Sequence, residues 1–171
     1  LQSQSSGVIP YEPFNTTILL AEFPMIDTYI NFHQFHSPST GQYNFMRIFT
    51  TPASSNNYSG TLTALIYSDI PGNPGTPSLN PIAMGQVTFV DENLDLSYIN
   101  IQFDTPVNLI ANNRYWAALS VNNNTPSSIF MGFHNDYHGI YNIVKYQTNS
   151  NFEFQAQNLV QGEYAFWFRI Y

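Results

Sequence analysis

Two histidines and one aspartate alternate in a short stretch of the chain, and together they could bind a metal ion. They are His134, Asp136 and His138, within the segment "FMGFHNDYHG". Alternate residues of a β-strand point to the same face of the sheet, so on a strand these three side chains would converge. Two imidazoles and a carboxylate form a ligand set that suits zinc or another transition metal. A metal site therefore requires a continuous strand through these residues.

The residues between the histidines favour a turn instead. Asn135 and Gly139 are turn formers, and they separate two apolar runs, "SIFMGF" and "IYNIVKY". This pattern predicts a β-hairpin with its loop at about residues 135–139. We therefore expect no metal and no cofactor here, and the stretch is either a solvated loop or a loop that contacts a ligand. In the second case the candidate contacts are His134, Asp136, Tyr137 and His138.

Catalytic chemistry finds little support in the sequence. A pair of carboxylates could cleave a glycosidic bond, but the acidic candidates lie within two residues of Pro or Asn, in predicted turns where local hydrogen bonding favours Asp. The acidic candidates are Asp69, Asp91, Glu92, Asp95, Asp104 and Asp136. The chain has no nucleophile elbow, P-loop or HExxH motif, and it has no cysteine for thiol chemistry. We expect no catalytic residue and no enzymatic activity.

The charge balance narrows the partners that the chain could bind. The 171 residues carry a formal net charge of −7, and the four basic residues are Arg47, Arg114, Lys145 and Arg169. Four basic residues cannot form a patch that neutralises a phosphate backbone, so nucleic acid is not expected as a partner. No apolar run approaches the ~20 residues of a membrane-spanning helix, so membrane insertion is not expected either.

Hydrophobic residues alternate with polar ones throughout the chain, which predicts β-strands. In "YINIQF", Ile99, Ile101 and Phe103 face inward while Asn100 and Gln102 face outward. The predicted strands are Thr17–Phe23, Thr28–His36, Tyr43–Thr51, Thr61–Tyr67, Gly85–Val90, Ser97–Phe103, Arg114–Val121, Ser128–His134, Gly139–Gln147, Asn151–Ala156 and Glu163–Tyr171. Many short strands with turns between them predict an all-β protein, a single-domain antiparallel jelly-roll β-sandwich over residues 17–171. Residues 1–16 are polar or proline-containing, and they predict an extended N-terminal arm or linker.

The middle of the chain, about residues 62–120, resembles jelly-roll modules of extracellular proteins. In that family a strand ending in Ile-Tyr-Ser-Asp precedes a Pro-Gly turn, and a later strand is followed by Pro-Val-x-Leu, a short turn and Tyr-Trp. The matching residues are Ile66–Asp69, Pro74–Gly75, Phe103, Pro106–Val107, Leu109 and Tyr115–Trp116. Asn112 and Asn113 stand where the family commonly has Gly-Thr, a mild departure because Asn also tolerates a positive φ. Such modules occur in surface-anchored bacterial proteins and in viral or phage fibre proteins, so the resemblance implies a location at an extracellular, cell or virion surface.

The many aromatic and amide side chains suit a binding or assembly role. Aromatic rings stack on sugar rings while amides bond the hydroxyls, and the same residues are enriched at protein interfaces. Beside predicted loops, Tyr58, Tyr137 and Tyr141 are further candidate ligand contacts. The last strand is apolar on both faces, which makes Trp167 and Phe168 candidate interface residues.

Three functions follow from these patterns. The first is a non-enzymatic structural or attachment module, such as a fibre, spike or capsid-associated domain, that self-associates with copies of itself. The second is a carbohydrate-binding module of a secreted protein that binds cell-surface glycans. The third, a glycan-cleaving enzyme, is the least favoured by the sequence.

Overall fold

A computed structural model describes residues 7–12, 30–51, 57–72, 75–94, 97–123, 130–131, 133–134, 145–148, 154–157 and 165–171. Within these residues the protein is all-β, with twelve strands and no helix. The strands are β1 Ile30–His36, β2 Gly41–Thr51, β3 Tyr58–Ile70, β4 Thr76–Glu92, β5 Ser97–Leu109, β6 Arg114–Asn123, β7 Phe130–Met131, β8 Phe133–His134, β9 Lys145–Thr148, β10 Phe154–Gln157, β11 Ala165–Phe166 and β12 Phe168–Ile170. The all-β prediction is therefore confirmed.

Strand boundaries differ most from the prediction where proline is present. The strand predicted from Gly85 begins at Thr76 in the structure, and it includes Pro77 and Pro81. Proline cannot donate a backbone hydrogen bond, but an edge strand has one side on which no donor is needed. Strand β4 is the last strand of its sheet, so it tolerates both prolines. The predicted strand Thr17–Phe23 lies outside the described residues.

The strands form two larger antiparallel sheets and one small one. The six-stranded sheet has the order β10-β9-β1-β6-β3-β4, and the second sheet has the order β12-β2-β5, with β7 also paired to β2. Strands β11 and β8 form a separate pair. The chain crosses between the two larger sheets from β1 to β2, from β2 to β3, from β4 to β5 and from β5 to β6, whereas β3 and β4 are neighbours in the same sheet. Among the described residues, no helix is long and apolar enough to cross a membrane.

The two larger sheets face each other across one hydrophobic core. Met46, Ile48 and Ile101 from the second sheet and Leu62 and Leu119 from the six-stranded sheet belong to the same buried cluster. Burying each such side chain contributes about 1.5–3 kcal/mol relative to leaving it in water. Successive side chains of a strand point to opposite faces of the sheet. The residues of β2, β5 and β12 that lie between the core residues therefore point to the outer face of the second sheet.

The two sheets approach each other closely where Gly85 of β4 meets Gln102 of β5. A Cβ atom at Gly85 of β4 would overlap the backbone carbonyl oxygen of Gln102 in β5. Only glycine leaves room for this contact, because any side chain would push the two backbones apart. Gly85 therefore permits the close approach of the two sheets along one side of the core.

Part of the predicted N-terminal arm lies along the edge of the second sheet. Tyr11 pairs with Ile170 of β12 through two backbone hydrogen bonds, of 2.9 and 3.1 Å. The hydroxyl of Tyr43 donates to the backbone oxygen of Ile9 at 2.8 Å, and Ser39 Oγ accepts from the Ile9 amide at 2.9 Å. Residues 7–12 are thus attached to the domain that follows them. The division at residue 16 stays a prediction.

Candidate functional site

The outer face of the second sheet brings aromatic rings, two arginines and two amides together. Strands β12, β2 and β5 lie side by side in that order, and their register places the outward residues in rows across the sheet. We call these nine residues the aromatic–arginine face. Its rows are Trp167, Phe49 and Tyr98; Arg169, Arg47 and Asn100; and Tyr171, Phe45 and Gln102.

A network of hydrogen bonds holds Arg47 in the middle of this face. Arg47 Nε donates to Asn100 Oδ1 at 2.7 Å, and Arg47 Nη2 donates to the hydroxyl of Tyr171 at 3.3 Å. That hydroxyl in turn donates to the same Asn100 oxygen at 2.7 Å. The three side chains form a closed triangle, which fixes the guanidinium before any ligand arrives. An arginine has five N–H donors, and this triangle uses only part of them.

Aromatic rings lie on both sides of the Arg47 guanidinium. Its Cζ atom lies 5.3 Å from the centre of the Tyr171 ring and 5.9 Å from that of Tyr98. Both distances fall within the range of a cation–π contact, which stabilises a cation against an aromatic face. The Tyr171 ring also stacks on Phe45, with centroids 5.3 Å apart and planes at 20°. The Tyr98 ring meets Phe49 and Trp167 edge to face at 4.8 and 5.4 Å.

The charge on this face is concentrated and only partly balanced. Arg47 and Arg169 are direct cross-strand partners, and like charges at such positions destabilise a sheet. They are two of the four basic residues of the chain, whose net charge is −7. Arg169 Nε lies 2.9 Å from Glu12 Oε1, although its N–H does not point at that oxygen, so this contact is a charge pair and not a hydrogen bond. Within the described ranges, no carboxylate pairs with Arg47 in this way.

The exposure of the face fits binding at a surface. Tyr98 is 55% exposed, and Asn100 and Gln102 beside it on β5 are exposed too. Trp167 is 8% exposed and contacts the Tyr98 ring edge to face, so it packs against Tyr98 and offers little surface to a ligand. The nine residues include no carboxylate, cysteine or histidine that could act as a nucleophile or a general base. The arrangement can bind a ligand by stacking, hydrogen bonds and charge.

A second polar cluster surrounds Asp69, the last residue of the Ile-Tyr-Ser-Asp segment. Asp69 is almost buried, with 6% of its side chain exposed, and its Oδ2 lies 3.0 Å from Nη2 of Arg114. Its Oδ1 accepts hydrogen bonds from Trp116 Nε1 at 2.8 Å and from Gln34 Nε2 at 3.3 Å. Arg114 Nη2 also donates to the Gly72 backbone oxygen at 3.2 Å. These contacts tie the turn after β3 to β1 and β6, so the Asp69 cluster has a structural role.

One histidine borders the Asp69 cluster. Desolvation by burial lowers the pKa of His36, and the nearby Arg114 charge lowers it further, while Asp69 acts in the opposite direction. The net shift favours the neutral imidazole in the folded protein. His36 therefore couples the stability of this end of the six-stranded sheet to pH.

The structure describes two of the six sequence-predicted ligand contacts. Tyr58 begins β3 and is 4% exposed, packed in the core near Phe89, so its ring has a packing role. His134 lies in β8, paired with Ala165. The other four predicted contacts lie outside the described residues: Asp136, Tyr137, His138 and Tyr141. Among the described residues, no group of three potential ligands could hold a metal ion.

The two candidate interface residues lie on opposite faces of the last strand region. Phe168 is fully buried in the core, where it packs against Tyr11 and Phe35. Trp167 lies on the outer face and is covered within the chain, so its burial does not require a neighbouring subunit. An interface role for either residue stays a prediction.

Sequence reasoning predicted the outward position of Asn100 and Gln102 but did not single out Arg47, Phe45 or Phe49. The signal was present in "FMRIF" and "WFRIY", where an arginine alternates with aromatic residues in two separate strands. Two such strands predict a shared aromatic and cationic face only if they pair in this register, and a single sequence does not show the pairing.

No family model, no curated protein and no solved structure matches the chain. The resemblance to extracellular jelly-roll modules consequently stays a prediction from residues 62–120.

Proposed function

We propose that the protein is a non-enzymatic attachment module of an extracellular or virion-surface structure, and that its aromatic–arginine face binds cell-surface glycans. The observation that carries the proposal is the combination of exposed Tyr98, exposed amides and a fixed arginine on one sheet face. This reading joins the two functions favoured by the sequence, attachment and carbohydrate binding. It needs no cofactor, metal or catalytic residue.

The chemistry of the face fits a sugar ring in two ways. A pyranose has an apolar face of C–H groups, which can lie on the exposed ring of Tyr98, and a rim of hydroxyls, which Asn100 and Gln102 can bond. Tyrosine and amide side chains supply contact area and adaptable hydrogen bonds with little loss of conformational entropy. Because the Arg47–Asn100–Tyr171 triangle already fixes the centre of the face, little further ordering is needed on binding.

The finer fold assignment is part of this proposal. Two antiparallel sheets that share one core, with several chain connections that cross between them, support a jelly-roll β-sandwich. In such a domain one outer sheet face and the loops are free for a partner.

A glycan array read with fluorescently labelled protein tests the binding function. Replacing Tyr98 with Ala should reduce binding by about tenfold or more, since one stacked ring contributes on the order of 1–3 kcal/mol in the comparable case of base stacking. Ile70→Ala is the matched control, because Ile70 is a 50% exposed apolar residue of β3 in the other sheet. Equal binding by the Tyr98 and Ile70 variants, or no binding by the parent protein, would contradict the proposal.

Self-association with copies of the chain is a second candidate function, favoured by a separate observation. Strand β4 carries the most exposed apolar residues of the described chain, among them Leu79 at 80% and Val90 at 76%, with Ile82 and Met84 between them. No charged residue occurs from Thr76 to Val90, although edge strands of monomers commonly carry charges that prevent pairing. Two copies could cover this strip by antiparallel pairing of β4 from Ile82 to Val90, because Pro77 and Pro81 cannot donate backbone hydrogen bonds to a further strand. Light scattering should then show a dimer or larger assembly that Met84→Ser together with Val90→Ser dissociates, and a monomer at micromolar concentration would refute it.

A further inference from the structure

Arg47 combines three properties that are costly to maintain in a sheet. It lies directly opposite another arginine, it is half-buried between two tyrosine rings, and its orientation is fixed by Asn100. A neutral residue at this position would avoid the like-charge contact. The neighbouring Arg169 has Glu12 as a counter-charge, whereas among the described residues Arg47 is held by neutral oxygens only.

The donors that remain on Arg47 suit an oxyanion. A guanidinium is planar and presents parallel N–H groups that match the two oxygens of a carboxylate or a sulfate. Nε and one Nη2 hydrogen are used in the contacts with Asn100 and Tyr171. The other N–H groups of Arg47 have no hydrogen-bond partner within the described ranges. Aromatic rings on both sides reduce the hydration of this cation, which strengthens a contact with an anion.

Tyr98 lies close enough to Arg47 for one sugar to contact both side chains. Tyr98 and Arg47 occupy adjacent rows, and the Arg47 Cζ atom lies 5.9 Å from the Tyr98 ring centre. This is about the size of one pyranose, so a sugar that lies on the exposed part of the Tyr98 ring, which Arg47 does not cover, would carry its acidic substituent next to the guanidinium. We infer, building on the proposed glycan-binding function, that the aromatic–arginine face selects sugars that carry an oxyanion, with Arg47 as its contact.

The acidity of the whole protein does not oppose this selection at short range. Charges more than about 8 Å apart are largely screened at physiological ionic strength. The net charge of −7 is spread over the chain, whereas the face itself holds two arginines and no carboxylate. Two acidic groups of the described residues border the face. Glu12 pairs with Arg169 on the side away from Tyr98 and Asn100, since β2 lies between β12 and β5. Asp104 is exposed on β5 four residues beyond Asn100, which is about 13 Å along the strand and therefore beyond the screening distance.

An array of matched glycan pairs, read with the full chain, tests the inference. Each pair is one oligosaccharide with and without a terminal sialic acid, or with and without a single sulfate ester, so the two arms separate the carboxylate from the sulfate. The best pair is then titrated calorimetrically at low and at physiological salt. The acidic member of at least one arm should bind about tenfold more tightly than its neutral partner, as expected for hydrogen bonds to a charged group. The preference should decrease as salt is added.

Three variants assign this preference to Arg47. Arg47→Gln should abolish the difference between acidic and neutral members, and Arg47→Lys should restore part of it through charge alone. Asn100→Asp should also lower the preference for the acidic member. The substitution keeps the size of the side chain at position 100, but its carboxylate neutralises the charge of Arg47. Lys145→Gln removes one positive charge from β9 of the other sheet, so it controls for net charge. Thermal melting confirms that each variant is folded.

The outcomes separate the inference from the function on which it rests. Equal affinity for acidic and neutral members, with both lost in Tyr98→Ala, overturns the acidic selectivity and keeps glycan binding. A preference that survives Arg47→Gln but disappears in Lys145→Gln overturns the role of Arg47. Absence of binding to every glycan overturns both. A preference that is lost in Arg47→Gln and in Asn100→Asp, with Lys145→Gln unchanged, supports the inference.

Discussion

Asp69→Asn is the substitution that best tests how the six-stranded sheet is held at one end. It keeps the size of the side chain and leaves Oδ1 as an acceptor for Trp116 and Gln34. The change replaces Oδ2, which lies 3.0 Å from Arg114 Nη2, by an amide nitrogen that is itself a donor. Two donors then face each other, and the Arg114 charge loses its partner.

The cost follows from the burial of the two partners. Removing one member of a fully buried ion pair costs about 3–5 kcal/mol, because the other charge is left without compensation. Asp69 is 6% exposed, but the side chain of Arg114 is 31% exposed and can recover part of its hydration. This reduces the expected loss to about 2–3 kcal/mol. For a chain of this length that loss corresponds to a decrease of about 4–12 °C in Tm.

Urea unfolding followed by tryptophan fluorescence measures this loss, since Trp116 donates to Asp69 and reports on the site directly. Asp104→Asn is the control, because Asp104 is exposed on β5 and should change stability by less than about 0.5 kcal/mol. A double-mutant cycle with Arg114→Gln should give a coupling energy of at least about 1 kcal/mol. The reasoning is refuted if Asp69→Asn costs no more than Asp104→Asn, or if the cycle shows no coupling.

Three further predictions concern single positions. Gly85→Ala should destabilise the fold by about 1–3 kcal/mol in urea unfolding, because its methyl group meets the Gln102 backbone, and an unchanged midpoint would show that the sheets can separate there freely. Asn112 has a φ of 65°, so Asn112→Gly should be nearly neutral while Asn112→Val should cost about 1–2 kcal/mol; equal stabilities would exclude a conformational role. The lowered pKa of His36 means that the unfolded chain binds the proton more readily, so stability should fall as pH decreases below about 6.5 and continue to fall until the folded-state pKa is passed. His36→Gln should flatten this part of the curve, and an identical pH profile would assign the effect to other groups.

Local patterns were sufficient for the class of fold. Alternation in "YINIQF" predicted the inward and outward residues of β5, and Asn112 adopts the positive φ that its place in the turn required. Alternation failed at Pro77 and Pro81, because proline is compatible with a strand only at an edge. Whether a strand lies at an edge depends on the whole sheet, and no local pattern contains that information.

The candidate site was less predictable than the fold for a similar reason. Sequence reasoning favoured loop residues, since loops commonly carry function, and it named Tyr58, which lies in the core. The aromatic–arginine face instead combines Arg47 of β2, Asn100 of β5 and Tyr171, which follows β12. Their contacts depend on a register between strands far apart in the chain, which alternation within each strand cannot specify.

Because the residues of the aromatic–arginine face come from distant parts of the chain, ligand binding depends on the completion of folding. Residues 45–49, 98–102 and 167–171 meet only after β12 has docked against β2, late in the order of synthesis. Pairing between such distant segments is slow, because the loop entropy is lost before the contacts form. A chain that has paired β2 with β5 but lacks the last strand would therefore carry Tyr98, Asn100 and Arg47 without the Tyr171 hydroxyl that completes their triangle. Binding at full affinity would report that the last strand, and not only the first two thirds of the chain, has reached its native position.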